Sequence, residues 1–228
     1  MINIYNIDNM LFETDKRFDV IYADMIYDNM SFSWVDKFWK YLKPNGVFII
    51  QTDIASSAEI KVYTQTMPNA KFFNWLIWKN EFGNFKKDRF RQCHDDIIMF
   101  CNGENWNWHP EKIQVPKVTA SAKGLNKSGR ETKMATSVIT DICLTTIAKE
   151  RVKKDDNHNV RWQKPMALYS RILEPFLDEE HNEILDPFMG SGSLGLWSKN
   201  NGYNYTGIEY DAEVFKLARK NINSSQEK

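Results

Sequence analysis

The sequence predicts an α/β protein built around a mostly parallel sheet. Apolar, strand-like runs alternate with segments of helical periodicity along the chain. Two of these runs, residues 18–23 and 46–51, are almost wholly apolar, as strands buried on both faces of a sheet are. Another run, residues 183–186, leads through a Gly-Ser-Gly turn into a helical pattern. This order of strand, turn and helix is typical of nucleotide-type binding sites.

The individual elements follow from periodicity and from the turn residues between them. Residues 31–43 place Trp and Phe at helical spacing, and residues 43–46 form a Pro-containing turn. Pro68 ends the next helix, and Pro165 suits the first turn of a later one. Strands are expected at residues 2–7, 18–23, 46–51, 72–78, 96–100, 183–186 and 203–209. Helices are expected at residues 31–43, 56–66, 165–177, 193–200 and 212–222.

Size and composition restrict the class of protein. A chain of 228 residues fits one domain, and its 30 basic and 30 acidic residues cancel, so overall charge gives no sign of a nucleic-acid partner. The scattered thiols of Cys93, Cys101 and Cys143 predict a reduced, cytoplasmic protein with neither disulfides nor a zinc site. There is no signal peptide and no apolar run near the roughly 18 residues of a membrane helix, so no membrane association is expected.

Positive charge is concentrated in one middle segment. Residues 112–136 contain one acidic residue, Glu131, against six basic residues: Lys112, Lys117, Lys123, Lys127, Arg130 and Lys133. Such a segment is either a solvated loop or a nucleic-acid contact. The polar and aromatic stretch at residues 80–91 poses the same alternatives, since Arg89 and Arg91 either contact backbone phosphates or flank a hairpin. For the acidic residues that follow, at 95 and 96, a structural or surface role is expected.

Acidic residues follow three of the predicted strands. Asp8 and Asp24 come after the first two strands, and Glu209 ends a later strand about twenty residues beyond the glycine-rich turn. Ligands of parallel sheets bind at the carboxyl edge of the strands, where such side chains collect. A carboxylate in the position of Glu209 is able to accept hydrogen bonds from the two ribose hydroxyls of an adenosine-containing cofactor.

Four motifs, taken in order, carry a family resemblance. They are Asp24-Met25-Ile26-Tyr27, Gln163-Lys164-Pro165, Asp186-Pro187-Phe188-Met189-Gly190-Ser191-Gly192-Ser193 and Gly207-Ile208-Glu209. The chain resembles the amino-methylating DNA methyltransferases of the circularly permuted β class. Their D-P-P-Y-type catalytic tetrad lies near the N-terminus, a variable region follows, and Q-K-P, D-P-F-x-G-S-G-[ST] and G-x-[ED] motifs come last. The resemblance covers most of the chain except residues 102–136.

The resemblance implies a Rossmann-like class I methyltransferase sheet, mostly parallel with one antiparallel strand and circularly permuted. It also implies a single domain over residues 1–228. Within it, residues 1–101 form a catalytic half, residues 102–160 a variable target-recognition loop, and residues 161–228 a half that binds S-adenosylmethionine.

The implied activity is methyl transfer to the N6 amine of adenine in double-stranded DNA, with the base flipped out of the duplex. Catalysis falls to the Asp24 carboxylate, the Met25 carbonyl and the Tyr27 ring, and no metal is needed. The implied cofactor-binding residues are Asp8, Lys164, Pro165, Asp186, Phe188, Gly190, Ser191, Gly192 and Glu209. The implied nucleic-acid-binding residues are Arg89, Arg91, Lys117, Lys123, Lys127, Arg130 and Lys133.

The tetrad departs from the family pattern in its centre, where Met25 and Ile26 replace two prolines. Proline stiffens a loop and removes an N–H donor, so this change bears on loop rigidity and on whether the enzyme is active. Three alternatives therefore stay open. They are an adenine-N6 enzyme, a cytosine-N4 or RNA methyltransferase, and an inactive subunit that holds nucleic acid for a partner. The sequence leaves open whether the chain forms a homodimer or joins a partner subunit.

Overall fold

The computed structural model describes residues 1–25, 31–80, 87–117, 131–143, 150, 152–153 and 163–224. The strands are β1 Ile2–Asn6, β2 Phe18–Asp24, β3 Leu42–Thr52, β4 Ala70–Lys79, β5 His94–Asn102, β6 Gln114–Pro116, β7 Thr132–Met134, β8 Val138–Ile139, β9 Glu183–Asp186 and β10 Asn204–Glu209. The α-helices are α1 Ser33–Trp39, α2 Ile54–Thr64, α3 Met166–Leu173, α4 Ser193–Asn200 and α5 Ala212–Asn223. Short 3-10 helices lie at Asn9–Leu11, Pro110–Ile113 and Glu174–Phe176.

In the described part of the chain, one sheet holds eight strands in the order β1-β10-β9-β2-β3-β5-β4-β8. Strand β5 runs antiparallel to both its neighbours, and the other pairs are parallel. This confirms the predicted mostly parallel sheet with one antiparallel strand. The first strand of the chain pairs with β10, which comes last, from Ile2 opposite Tyr205 to Asn6 opposite Glu209. A circularly permuted order requires that pairing.

The sheet is covered by helices on both faces, and strand β2 shows the consequence. Val20 and Tyr22 pack into a core shared with α3 and α4, while Ile21 and Ala23 pack into a second core shared with α1 and α2. Because successive residues of a strand point to opposite faces, a strand covered on both sides must be apolar throughout. Each large side chain buried there stabilises the fold by about 1.5–3 kcal/mol.

Two helices are shorter than predicted. Helix α1 ends at Trp39 rather than at residue 43, because β3 already begins at Leu42 and takes up the predicted turn. Within that turn Asn45 adopts φ +63°, and the pairing of β2 with β3 is irregular there. Helix α3 ends at Leu173 and continues as a 3-10 turn, since Pro175 cannot donate a helical hydrogen bond.

The middle segment is more ordered at its ends than the predicted loop. Strands β6 and β7 form an antiparallel ribbon, with Val115 opposite Lys133, and β8 adds a parallel edge to β4. The described ends of the predicted variable loop therefore contain short strands. Lys123, Lys127 and Arg130 lie outside the described residues, so the expectation that they bind nucleic acid stays a prediction.

Candidate active site

The carboxyl ends of β2, β9 and β10 meet at one edge of the sheet. The strands are parallel, and each ends in an acidic residue: Asp24, Asp186 and Glu209. The register that pairs Ile21 with Leu185 places Asp24 close to the turn that follows β9. The structure therefore brings together the motif that begins at Asp24 and the glycine-rich turn that follows Asp186, which lie more than 160 residues apart in the sequence.

One backbone hydrogen bond holds the glycine-rich turn after β9 against β10, and a second closes the turn itself. Met189 N donates to Ile208 O at 2.9 Å, and Gly192 N donates to Met189 O at 3.0 Å. Gly192 has φ +73°, and a Cβ at this position would lie 3.0 Å from the backbone oxygen of Ala218. Both the backbone conformation and the close approach to α5 therefore require glycine here.

Glu209 closes this turn from the neighbouring strand. Its Oε2 accepts a hydrogen bond from Gly190 N at 3.0 Å, and its Oε1 accepts one from Asp211 N at 2.9 Å. Burial raises the pKa of Glu209, and the two backbone donors oppose that effect. A carboxylate offers about four acceptor positions, so Glu209 retains the capacity to accept ribose hydroxyls.

Asp186 lies deeper than the other two carboxylates. Its side chain is buried, its Oδ2 accepts a hydrogen bond from the Tyr205 hydroxyl at 2.9 Å, and its Oδ1 accepts one from Phe188 N at 3.1 Å. Burial raises the pKa of Asp186 to about 7, against the opposing effect of the Tyr205 hydrogen bond. In this arrangement Asp186 anchors the first residues of the glycine-rich turn.

Three other predicted cofactor residues border the turn. Asp8 is exposed and caps the 3-10 helix that follows β1, while its neighbour Asn9 donates to Pro187 O at 3.2 Å. Phe188 is half-buried and makes an edge-on contact with Trp34, with ring centroids 5.3 Å apart. Ser191 is buried, and its carbonyl accepts a hydrogen bond from Asn221 of α5 at 3.0 Å.

Lys164 contacts the predicted catalytic aspartate directly. Lys164 Nζ lies 2.6 Å from Asp24 Oδ2, and the Lys164 side chain is only 4% exposed. Burial raises the pKa of Asp24, and the adjacent ammonium opposes that rise. The sequence analysis assigned Lys164 to the cofactor and missed this ion pair, because the two residues are separated by 140 positions.

The residues around Lys164 explain how it is aimed. The Gln163 side chain donates to Glu150 O at 2.6 Å and accepts from Val152 N at 2.9 Å. Glu150 Oε2 in turn accepts from Met166 N at 3.0 Å, in the first turn of α3. Pro165 caps α3 with an extended backbone, φ −70° and ψ 143°. The Q-K-P motif is thus fixed on both sides, and its lysine extends toward the end of β2.

Met25 makes a hydrogen bond that a proline could not make. Its backbone N–H donates to Gln51 O at 3.3 Å, which extends the pairing of β2 with β3 by one residue, and its side chain is buried. The hydrogen bond and the burial both restrain Met25, at the position where the family pattern has its first proline. Ile26 and Tyr27 lie outside the described residues, so the stacking role of Tyr27 stays a prediction.

Two of the predicted nucleic-acid residues lie near this edge. Strands β4 and β5 pair antiparallel from Lys79 opposite His94, so the connection between them leaves the sheet at the carboxyl edge of β3. Arg89 and Arg91 of this connection are exposed, and Phe90 between them is fully exposed. Arg89 pairs with its neighbour Asp88.

The other two described residues that were predicted to bind nucleic acid, Lys117 and Lys133, lie at the β6–β7 ribbon. Lys133 is exposed, Lys117 is half-buried, and Lys117 N donates to Glu131 O at 2.9 Å. The ribbon is tied to the 3-10 helix before it, where Ala135 N donates to Ile113 O at 2.9 Å. Among the described contacts, none brings Lys117 or Lys133 to Asp24 or to the glycine-rich turn.

Two kinds of feature are absent from the described residues. No group of three or more His, Cys, Asp or Glu residues in those ranges is arranged to hold a metal ion. Nor does any helix within them have the length and apolarity needed to cross a membrane.

Comparison with known proteins identifies the family. Residues 2–220 match the family model of N6/N4 methyltransferases, described as DNA methylase. The chain is 24% identical over 203 residues to the type II methyltransferase M.HpaI of Haemophilus parainfluenzae, covering 87% of this chain and 60% of that protein. It is 25% identical over 213 residues to M.HinfI of Haemophilus influenzae, covering 91% of this chain and 55% of that protein. The chain thus spans less than two thirds of these curated relatives.

Solved structures share the fold. The M1.HpyAVI–SAM complex matches with a TM-score of 0.73 at 23% identity, over 98% of this chain and 100% of that one. The cytosine-N4-specific PvuII DNA methyltransferase matches with a TM-score of 0.67 at 13% identity, over 98% and 86% of the two chains. With the family model spanning nearly the whole sequence, the chain belongs to the N6/N4 DNA methylase family.

Proposed function

We propose that this chain transfers a methyl group from S-adenosylmethionine to the N6 amine of adenine in double-stranded DNA. The observation that carries the proposal is the adjacency of β2 and β9, which places Asp24 beside the glycine-rich turn and Glu209. A group held by that turn and a base presented to Asp24 would meet at one edge of the sheet. The names of the relatives, type II methyltransferases, support a role in modification beside a restriction enzyme.

The glycine-rich turn has a surface suited to S-adenosylmethionine. A Cβ at Gly190 would have a single neighbour within 4 Å among the described atoms, Phe188 O at 3.9 Å, so a ligand is able to approach this backbone. Glu209 lies beside Gly190 to accept the ribose hydroxyls, and Asp8 and Phe188 border the same turn. We assign Ser191, Gly192, Pro165 and Asp186 to shaping this site. The M1.HpyAVI structure, which shares the fold, is a complex with SAM and supports the same cofactor.

For methyl transfer, the protein must activate the exocyclic amine of the base, which is a weak nucleophile. The lone pair of an exocyclic amine is delocalised into the ring of the base. If the Asp24 carboxylate accepts one amine hydrogen and the Met25 carbonyl accepts the other, the nitrogen becomes more tetrahedral and its lone pair is freed. Bound S-adenosylmethionine would supply the methyl group of its sulfonium: as the amine nitrogen bonds to that carbon, the carbon–sulfur bond breaks, a neutral thioether leaves, and the amine gives up one proton. Tyr27 would stack on the flipped base. The proposed methyl transfer needs no metal.

Asp24 favours adenine over cytosine as the acceptor. Within the resembled family an aspartate at the first tetrad position goes with adenine more often than with cytosine. The cytosine-N4 enzyme remains the second candidate, because the PvuII enzyme has the same fold. The permuted chain order and the division into a catalytic half, a recognition segment and a cofactor half also belong to the proposal. The adjacency of β1 and β10 supports the permuted order.

Mass analysis of the modified nucleoside tests the proposal. Unmethylated genomic DNA is incubated with the protein and with S-adenosylmethionine that carries a deuterated methyl group, and the DNA is then digested to nucleosides. The expected product is deuterated N6-methyladenine. Detection of deuterated N4-methylcytosine instead would show that cytosine is the acceptor. Cofactor binding without any labelled nucleoside in DNA or RNA would favour the inactive subunit.

A further inference from the structure

Lys164 lies between two carboxylates that come from different strands. Its Nζ is 2.6 Å from Asp24 Oδ2, at the end of β2, and 3.9 Å from Asp95 Oδ2, at the start of β5. The side chains of Lys164, Asp24 and Asp95 are 4%, 18% and 12% exposed. Lys164 thus lies between two largely buried carboxyl groups, and it forms the closer ion pair with Asp24.

Asp95 is held in place by neutral donors. Gln51 Nε2 donates to Asp95 Oδ2 at 2.9 Å, and Asn80 Nδ2 donates to Asp95 Oδ1 at 2.8 Å. The Tyr22 hydroxyl donates to Gln51 Oε1 at 2.6 Å and so fixes the orientation of that amide. These bonds hold the Asp95 carboxyl group near Lys164, although the sequence suggested only a structural or surface role for it.

We propose that Asp95 is a positioning residue, which shares the Lys164 ammonium with Asp24 and so sets how readily Asp24 accepts a hydrogen bond or a proton. The inference deepens the proposed function, since it concerns the carboxylate assigned there to the amine. The geometry of the three side chains does not depend on that assignment.

The charges around Asp24 give the two neighbours opposite effects. Burial raises the pKa of Asp24, Lys164 lowers it, and Asp95 raises it. Asp186 on β9 and Tyr169 on α3 also face Asp24 and interact with it electrostatically. Loss of the ammonium should therefore leave Asp24 protonated at higher pH. Loss of the Asp95 charge should leave Lys164 to Asp24 alone and keep Asp24 ionised at lower pH.

The direct test is a carboxyl titration followed by NMR on the protein labelled with ¹³C at the aspartate side-chain carboxyl. Asp24→Asn identifies the resonance. Lys164→Gln is expected to move the Asp24 midpoint to higher pH, Asp95→Asn to move it to lower pH, and Lys164→Arg to leave it near the wild-type value. Lys43→Gln is the matched control, because it removes the 2.8 Å ion pair with Asp19 at the other end of β2. Lys164→Met replaces Lys164→Gln if the glutamine variant does not fold.

Shifts of the two variants in the same direction, or no shift in either, would overturn the inference. Activity gives a second measurement. The acidic limb of the pH profile of single-turnover methyl transfer should move to higher pH in Lys164→Gln and to lower pH in Asp95→Asn, and Lys164→Gln should be about tenfold slower than the wild type at low pH. Opposite NMR shifts in a protein that methylates no nucleic acid would contradict the proposed function and leave the role of Asp95 standing. Methyl transfer with an unmoved Asp24 midpoint would contradict the role of Asp95 alone.

Discussion

The Tyr205 hydroxyl donates a hydrogen bond to Asp186 Oδ2 at 2.9 Å, and both side chains are buried beside the glycine-rich turn. Burial raises the pKa of Asp186 to about 7. Between the ordinary value of 3.8 and that value the folded protein binds a proton at Asp186 more tightly than the unfolded chain does. The free energy of unfolding should therefore fall as pH rises from about 4 to about 7, by at most about 1.4 kcal/mol per pH unit from this group.

Asp186→Asn removes that titration. Urea denaturation between pH 4 and pH 9 is expected to show that the difference in unfolding free energy between the wild type and Asp186→Asn shrinks as pH rises, and that it levels off about one pH unit above the pKa of about 7. Tyr205→Phe removes the hydrogen bond that opposes the rise in the Asp186 pKa, so the pH range over which the free energy of unfolding falls should extend to higher pH. If the difference in unfolding free energy between the wild type and Asp186→Asn does not change across this pH range, the raised pKa of Asp186 is contradicted.

Gly192 should resist substitution more strongly than another glycine with the same backbone conformation. Gly192→Ala combines a left-handed conformation, φ +73°, with a Cβ only 3.0 Å from the Ala218 backbone. Gly202 also has a positive φ, +77°, but a Cβ there would meet no described atom within 4 Å. We expect Gly202→Ala to cost about 1–2 kcal/mol of stability and Gly192→Ala to cost clearly more. Thermal and urea denaturation measure both, and equal costs would show that the contact with α5 is unimportant.

Glu209 is expected to govern cofactor affinity. Glu209→Ala removes the acceptor proposed for the ribose hydroxyls and also the partner of Gly190 N, so calorimetry should show S-adenosylmethionine binding weakened about tenfold or more. Glu213→Gln serves as the control, because this exposed residue belongs to the first turn of α5, four positions along the chain. Unchanged affinity in Glu209→Ala would place the cofactor elsewhere.

Arg89 and Arg91 should contribute to DNA affinity through phosphates rather than through base choice. Replacing both with Gln is expected to weaken binding to all sequences and to reduce the slope of log K against log salt by about one for each phosphate that the variant no longer neutralises. Lys117→Gln with Lys133→Gln tests the ribbon in the same way. Lys216→Gln, an exposed lysine on α5, is the control. If the salt slope does not change in either double variant, neither surface contacts phosphates.

The sequence predicted what depends on local pattern. The apolar run of β2 and the glycine-rich turn after β9 both lie where periodicity and turn residues placed them. Strands β6 and β7 were missed, because three-residue strands have no readable period. The contact of Lys164 with Asp24 was missed as well, since it links residues 140 positions apart and arises only when the sheet is assembled.

The end of α3 shows a further reason why predicted and observed elements differ. The helical pattern continues to Leu177, and Pro175 is the signal that was available to shorten it, because the ring removes a helical donor. Met25 shows the reverse case. The sequence left the rigidity of the tetrad loop open, and pairing with β3 and burial in the core, which no local pattern encodes, constrain Met25.

The central claim is that Asp24 acts on the amine of the base and does not serve to hold the cofactor. Asp24→Ala, compared with the wild type and with the exposed-site control Asp15→Asn, decides it when calorimetry of S-adenosylmethionine binding is paired with single-turnover methyl transfer to DNA. We predict cofactor affinity within about threefold of wild type and methyl transfer lowered by about a thousandfold or more in Asp24→Ala. Methyl transfer at the wild-type rate in Asp24→Ala would contradict the account.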